Sequence, residues 1–228
     1  MKVVVSGGTG YIGGEVLSQC LNHRSITSVI ILARRDPGTW ATNSKAKVLI
    51  LKDFTSYDES TINEVKTADA AIWCLGTYNG DKTIDVEFPL AFINIIKNQR
   101  PPSSTPFRFV QLSGAFTEPP PKEGEQERSL WYFANGRRIR GLAEATVLAT
   151  ADGASPDEYA VYLVKPAGVA PKTVSGSLFR CVTGDSLSVG ISDLGATIVD
   201  LAITGNEQKV FSNREIIKYA KELRERST

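Results

Sequence analysis

The chain has 228 residues, 42% hydrophobic, with 26 Lys and Arg against 25 Asp and Glu for a formal charge of +1. That length can bury one substantial core, which predicts a single domain over 1–228 with a small appendage, and the balanced charge predicts no nucleic-acid partner and no anionic membrane surface. A lone histidine, His23, and three scattered cysteines, Cys20, Cys74 and Cys181, exclude a metal site, a Ser-His-Asp triad and a disulfide framework, and fit a reducing, cytoplasmic setting.

In chain order, "KVVVSG" is a β-branched run that stops at glycines. "GYIGGEVLSQCLNH" then places Ile12, Val16, Leu17 and Leu21 at helical spacing. "SVIILARR" reads as a buried strand closed by the turn "DPG", and "AKVLILKDF" as a third strand. "TINEVKTA" is a short amphipathic helix, "DAAIWCLG" a fourth strand, and "VEFPLAFINIIKNQ" a helix with Pro89 early in it. "FRFVQLSG" is the fifth strand, "RRIRGLAEATVLAT" a helix and "YAVYLVKPAGV" the sixth strand. Strands alternate with helices, and several strands are apolar throughout. The prediction is an α/β doubly wound parallel sheet with helices on both faces, a Rossmann fold. "RPPSSTP" at 100–106 reads as a connection and "EPPPKEGEQE" at 118–127 as a flap. No apolar run approaches the roughly 20 residues of a membrane span. The start, one Lys and then a glycine loop, is not expected to act as a signal peptide.

The glycines identify the ligand class. Gly8, Gly10 and Gly13 form a GxGxxG between a strand and a helix. In that setting Gly8 is expected to allow the tight turn. Gly10 is expected to let a pyrophosphate approach the backbone, and Gly13 to let helix and strand pack closely. The helix start would aim free N–H groups at the phosphates. A P-loop is excluded because Gly13-Gly14-Glu15 lacks the Lys-Ser/Thr ending. At the end of the second strand, where an acidic residue would hold the ribose of NAD, stand Arg34 and Arg35. Guanidinium groups can grip a 2′-phosphate, which favours NADP(H), although Asp36 beside them keeps NAD open.

Other stretches fall into a pattern: "KDF" at 52–54, "WCLGT" at 73–77, "VQLSGA" at 110–115, "VKPAGV" at 164–169, and a tail from "ISDLGATIVDLAI" to "REIIKYAKE". With the glycine loop they resemble the atypical and extended short-chain dehydrogenase/reductases, on the branch of the Tat-interacting protein oxidoreductase and NmrA-like proteins. The resemblance implies cofactor contacts from Gly7, Gly8, Thr9, Gly10, Tyr11, Ile12 and Gly13 at the loop, and from Arg34 and Arg35 beside it. It implies further contacts from Asp53, Phe54, Leu75, Gly76, Thr77, Leu112, Ser113 and Arg140, and from Lys165, Pro166, Ala167, Gly168 and Val169. Only about 60 residues follow the sixth strand, so the substrate cap is expected to be small, from about 115–135 and 170–192.

The resemblance breaks at its chemistry. The family carries Tyr-x-x-x-Lys on the helix after the fifth strand; here those positions fall on Gly136 and Arg140. Arg140 can clamp a ribose but relays protons poorly, and Gly136 offers no acid. Tyr132 is the first substitute if the helix starts at the turn-like "NG" of 135–136, and Tyr78 is the second. Trp131 and Phe133 read as a lid or core cluster. Two functions stay open. One is an NADP-dependent reductase of a small carbonyl or imine, compact and fairly apolar, with Ser113 orienting the substrate and Tyr132 or water giving the proton. The other keeps the fold without redox chemistry, as an isomerase, a cyclase or an NADP sensor.

Overall fold

The computed structural model describes residues 1–155, 157–173 and 187–226. Cys181 and the 174–186 part of the expected cap lie outside the described residues. Seven strands form one sheet: β1 (Lys2–Ser6), β2 (Ser28–Ala33), β3 (Ala46–Ile50), β4 (Ala70–Trp73), β5 (Phe107–Leu112), β6 (Tyr159–Lys165) and, after a short β7 and β8, β9 (Val210–Ser212). Their order is β3-β2-β1-β4-β5-β6-β9, and every pairing is parallel. β7 (Gly168–Ala170) and β8 (Ser188–Gly190) pair parallel in a separate two-stranded ribbon. This is the doubly wound Rossmann architecture that the alternation predicts.

The apolar runs are strands buried on both faces. On β1, Val3 and Val5 face one core while Val4 faces the other. The first core is closed by α1 (Tyr11–Asn22), through Val16 and Leu17, by α5 (Ile191–Ile203), through Leu194 and Ile198, and by α6 (Asn213–Arg226), through Ile216 and Tyr219. The second is aromatic. Phe54, Trp73, Phe92 and Phe109 meet there with ring centroids 5.6–6.3 Å apart along the chain of contacts. It lies beneath α2 (Glu59–Val65), α3 (Phe88–Gln99) and α4 (Ala134–Ala149). The Asp58 carboxylate caps α2 by accepting the Thr61 N–H at 2.7 Å.

Three boundaries differ from the sequence expectation. A π-helical turn, Thr83–Glu87, precedes α3 and places Pro89 in its first turn, where the missing N–H costs nothing. The sixth strand breaks at Pro166 into β6 and β7. The "NG" at 135–136 is not a turn: α4 runs through it from Ala134, and the break comes one residue earlier, at Phe133, whose φ of 46° is left-handed. Tertiary packing overrides the turn propensity there, because the Asn135 side chain is used to hold another loop.

Candidate functional site

The strand C-termini open onto two adjoining hollows that share Leu75. The smaller, about 390 Å3, is lined by Gly7, Gly8, Thr9, Leu32, Ala33, Arg34, Arg35, Phe54 and Leu75. The larger, about 540 Å3, is lined by Gly10 to Gly13, Cys74 to Gly76, Tyr78, Asp85, Gln111 to Gly114, Arg140, Ala143, Pro166, Ala167 and Val169.

The glycine loop divides its work differently from the sequence reading. The left-handed residue is Gly7, with φ 74°, not Gly8; a Cβ there would lie 2.6 Å from the Cys74 carbonyl carbon. Gly13 makes the close approach, since its Cβ would collide with the Gly7 carbonyl oxygen. Gly10 is the N-cap of α1 and has no side chain to cap it, so the first N–H groups of the helix are left for an incoming acceptor. Arg34 and Arg35 are exposed beside that loop, and neither forms an ion pair with the described residues. Asp36 instead caps a turn by accepting the Gly38 N–H at 2.8 Å. The arrangement can hold two phosphates on backbone N–H groups and a third on guanidinium groups.

Several residues named from the sequence stand elsewhere. Asp53 is exposed and binds Thr55 at 2.7 Å and 2.8 Å, which holds its carboxyl below the usual range. Phe54 is buried against Phe88, ring centroids 5.4 Å apart, so it supplies floor rather than an exposed face. Thr77, Lys165 and Gly168 are not on the lining. Tyr132 is 70% exposed, has its ring against Phe133 and also stays off the lining, whereas Tyr78 is on it. Burial pushes the Cys74 thiol up to about 12, so on this wall it stays protonated at neutral pH.

The position of the expected tyrosine is physically filled. A Cβ on Gly136 would meet the Tyr78 carbonyl oxygen, because the loop after β4 lies directly on α4. Three contacts hold it there. Asn135 Nδ2 donates to the Asn79 and Gly80 carbonyls at 2.8 and 3.0 Å. Arg140 donates from Nε and Nη2 to the Thr77 carbonyl at 3.0 and 2.6 Å. The Arg140 guanidinium also lies 5.4 Å from the centre of the Tyr78 ring. From the other side, buried Asp85 accepts the Thr77 N–H and hydroxyl and the Asp81 N–H.

Sequence reasoning missed three residues, Glu144, Asp85 and Gln111, of which Glu144 lies one helical turn beyond Arg140. Its Oε1 accepts the Ser113 hydroxyl, and its Oε2 takes Lys165 Nζ at 2.7 Å and Thr117 at 3.0 Å. The i, i+4, i+8 spacing of Gly136, Arg140 and Glu144 on one helix face was the signal for it. Asp85 gave none, since "GDKTIDVE" reads as solvated charge. Gln111 gave a weak one, as a polar residue inside a strand buried on both faces. Among the described residues no cluster of His, Cys, Asp and Glu could hold a metal ion, and no helix is long and apolar enough to cross a membrane.

No family model matches the chain. The leucinostatins biosynthesis cluster protein T of Purpureocillium lilacinum is 30% identical over 76 residues, 33% of this chain. That match spans 28% of the relative's own length. Among solved structures, the PhqB reductase domain of Penicillium fellutanum is similar with a TM-score of 0.67 and 16% identity, over 92% of this chain and 66% of that one. Yeast methylglyoxal/isovaleraldehyde reductase Gre2 in complex with NADPH gives 0.67 and 13%, over 93% and 77%. The alternative dihydrofolate reductase FolM of Brucella canis in complex with NADP gives 0.69 and 11%, over 95% and 94%. At such identities the likeness is one of fold.

Proposed function

We propose that the chain is an NADP(H)-binding reductase of a small, fairly apolar carbonyl or imine metabolite. It would act inside the cell as one dinucleotide-binding domain with a cap from about 115–135 and 170–192. One observation carries this reading: Arg34 and Arg35, with no ion pair among the described residues, line one hollow with Gly7 to Thr9, and it runs at Leu75 into a larger one lined by the uncapped start of α1. The first suits the adenosine phosphates and the second the nicotinamide with a compact substrate. The fold is shared with reductases whose structures hold NADPH or NADP, which supports the reading without deciding it.

Within it, Gly10 to Gly13 bind the pyrophosphate and the two arginines bind the 2′-phosphate. Ser113 orients the substrate, and Arg140 fixes the loop that walls it in. The bound cofactor supplies the reducing equivalents. A non-redox reading, isomerase, cyclase or sensor, is favoured by the filled Gly136 position, which removes the family's acid. Absorbance at the nicotinamide band decides between them. Stoichiometric NADPH oxidation during substrate conversion supports the reductase, and product without it would sink it.

A further inference from the structure

Reduction of a carbonyl needs a proton at oxygen as the new C–H bond forms at carbon. Four side chains on the lining of the larger hollow carry an O–H or S–H group: Tyr11, Cys74, Tyr78 and Ser113. Three of them are poorly suited. Ser113 donates its only hydroxyl proton to Glu144. The Cys74 thiol is a weak donor, and burial pushes it up to about 12. Tyr11 stands in the first turn of α1, where partial burial and then the Glu15 carboxylate raise its phenol above the usual value.

Tyr78 is the fourth. Its hydroxyl makes no hydrogen bond among the described residues, and the side chain is 86% exposed. Arg140 holds it twice. Nε and Nη2 bind the carbonyl of Thr77, the residue before it, and the guanidinium lies 5.4 Å from the centre of its ring. Nη1 is not taken by Thr77. It lies 3.4 Å from the place a Cβ on Gly114 would occupy, so the guanidinium reaches from Tyr78 to the residue after Ser113. The Tyr78 backbone is seated on α4 at Gly136, and Asn135 binds the next two carbonyls.

We infer that Tyr78 is the catalytic acid, giving its phenolic proton to the substrate oxygen, with Arg140 as its positioning residue. The inference rests on the reductase reading above and deepens it. The C=O π bond breaks and its electron pair settles on oxygen. A C–H bond forms to carbon at the expense of the reduced nicotinamide cofactor, which leaves oxidised. The Tyr78 O–H bond breaks and its proton passes to the substrate oxygen. The phenolate left behind stands by the guanidinium, and water, which reaches so exposed a side chain, returns the proton. Gly136 then serves the chemistry at one remove, since a side chain there would displace the Tyr78 backbone. Tyr132 packs on Phe133, off the lining, and has no such anchor.

The test uses cyclopentanone as a compact, apolar ketone. With NADPH, Tyr78→Phe is expected to lower kcat about 100-fold or more and to leave NADPH affinity nearly unchanged. Unchanged turnover in Tyr78→Phe, or a larger loss in Tyr132→Phe, would overturn the inference. The second readout involves no turnover. The infrared carbonyl stretch of isotope-labelled cyclopentanone, bound with and without NADP+, is expected to move to higher frequency in Tyr78→Phe, because the phenol no longer donates to its oxygen. This variant removes only an exposed hydroxyl, so its fold is not at stake. A stretch that stays in place would overturn the inference. Arg140→Leu is expected to reproduce the infrared shift and Arg140→Lys to recover part of the native frequency. Identical spectra for those two variants would overturn the positioning role. Failure of the native chain to bind NADPH would instead strike the reductase reading, and the infrared shift without cofactor would still judge the Tyr78 contact.

Discussion

Two helix starts border the cleft, and each depends on a glycine for a different reason. At α1, the space in front of Gly10 is tight on one side only: a Cβ would press on the Gly7 carbonyl oxygen at 3.3 Å, and no side chain caps the helix. At α4, the space in front of Gly136 is already filled by the Tyr78 carbonyl. The first glycine leaves room for something that arrives; the second makes room for the protein's own chain. One fold thus carries one glycine-started helix end that is uncapped and another that anchors a loop. Residue type alone cannot separate the two uses.

Predictions that break or sharpen this contrast run from large to small. Gly10→Val is expected to weaken NADPH binding by more than about 100-fold, near 3 kcal/mol, with the melting temperature almost unchanged. A calorimetric titration that finds normal affinity in the folded variant would put the pyrophosphate elsewhere. Gly136→Ala should do the reverse. Pressing a methyl group onto the Tyr78 carbonyl is expected to cost about 2 kcal/mol of stability in denaturant unfolding, with NADPH affinity little changed. A variant as stable as the native chain would mean that the loop is not seated on α4.

The arginine pair sharpens the α1 end. Arg34→Ala with Arg35→Ala is expected to remove an NADPH-over-NADH preference of about 10- to 100-fold, since charge-assisted contacts contribute about 1.5–3 kcal/mol each. An unchanged ratio of the two dissociation constants would refute the 2′-phosphate assignment.

The smallest effect is a control away from both ends. Glu64 is held below the usual carboxylate range, first by the hydrogen bond from Lys47 and further by Lys2. Its folded value lies below its unfolded one, so the stability it adds is fully present above the ordinary glutamate value near pH 4.3, a rough reference. That stability is lost as pH falls through the depressed folded value. For a pair this exposed the contribution is under about 1 kcal/mol. Glu64→Gln should flatten the melting curve between about pH 5 and pH 2 and leave the cleft's properties alone.

The architecture and the glycine loop were legible from sequence because they depend on local periodicity and backbone space. Val3 and Val5 to one core and Val4 to the other is a period-two fact, and Gly13 against the Gly7 carbonyl is a contact within six residues. The sequence could also say that tyrosine and lysine are missing at 136 and 140. It could not say what had replaced them. That answer joins segments far apart in the chain: Asn135 to Asn79, Arg140 to Thr77, Glu144 to Ser113 and Lys165. It also left open Tyr132 against Tyr78, which only the position of the loop on α4 distinguishes. Side-chain hydrogen bonds carry no sequence period, and their partners are fixed only when the sheet brings the strand ends together.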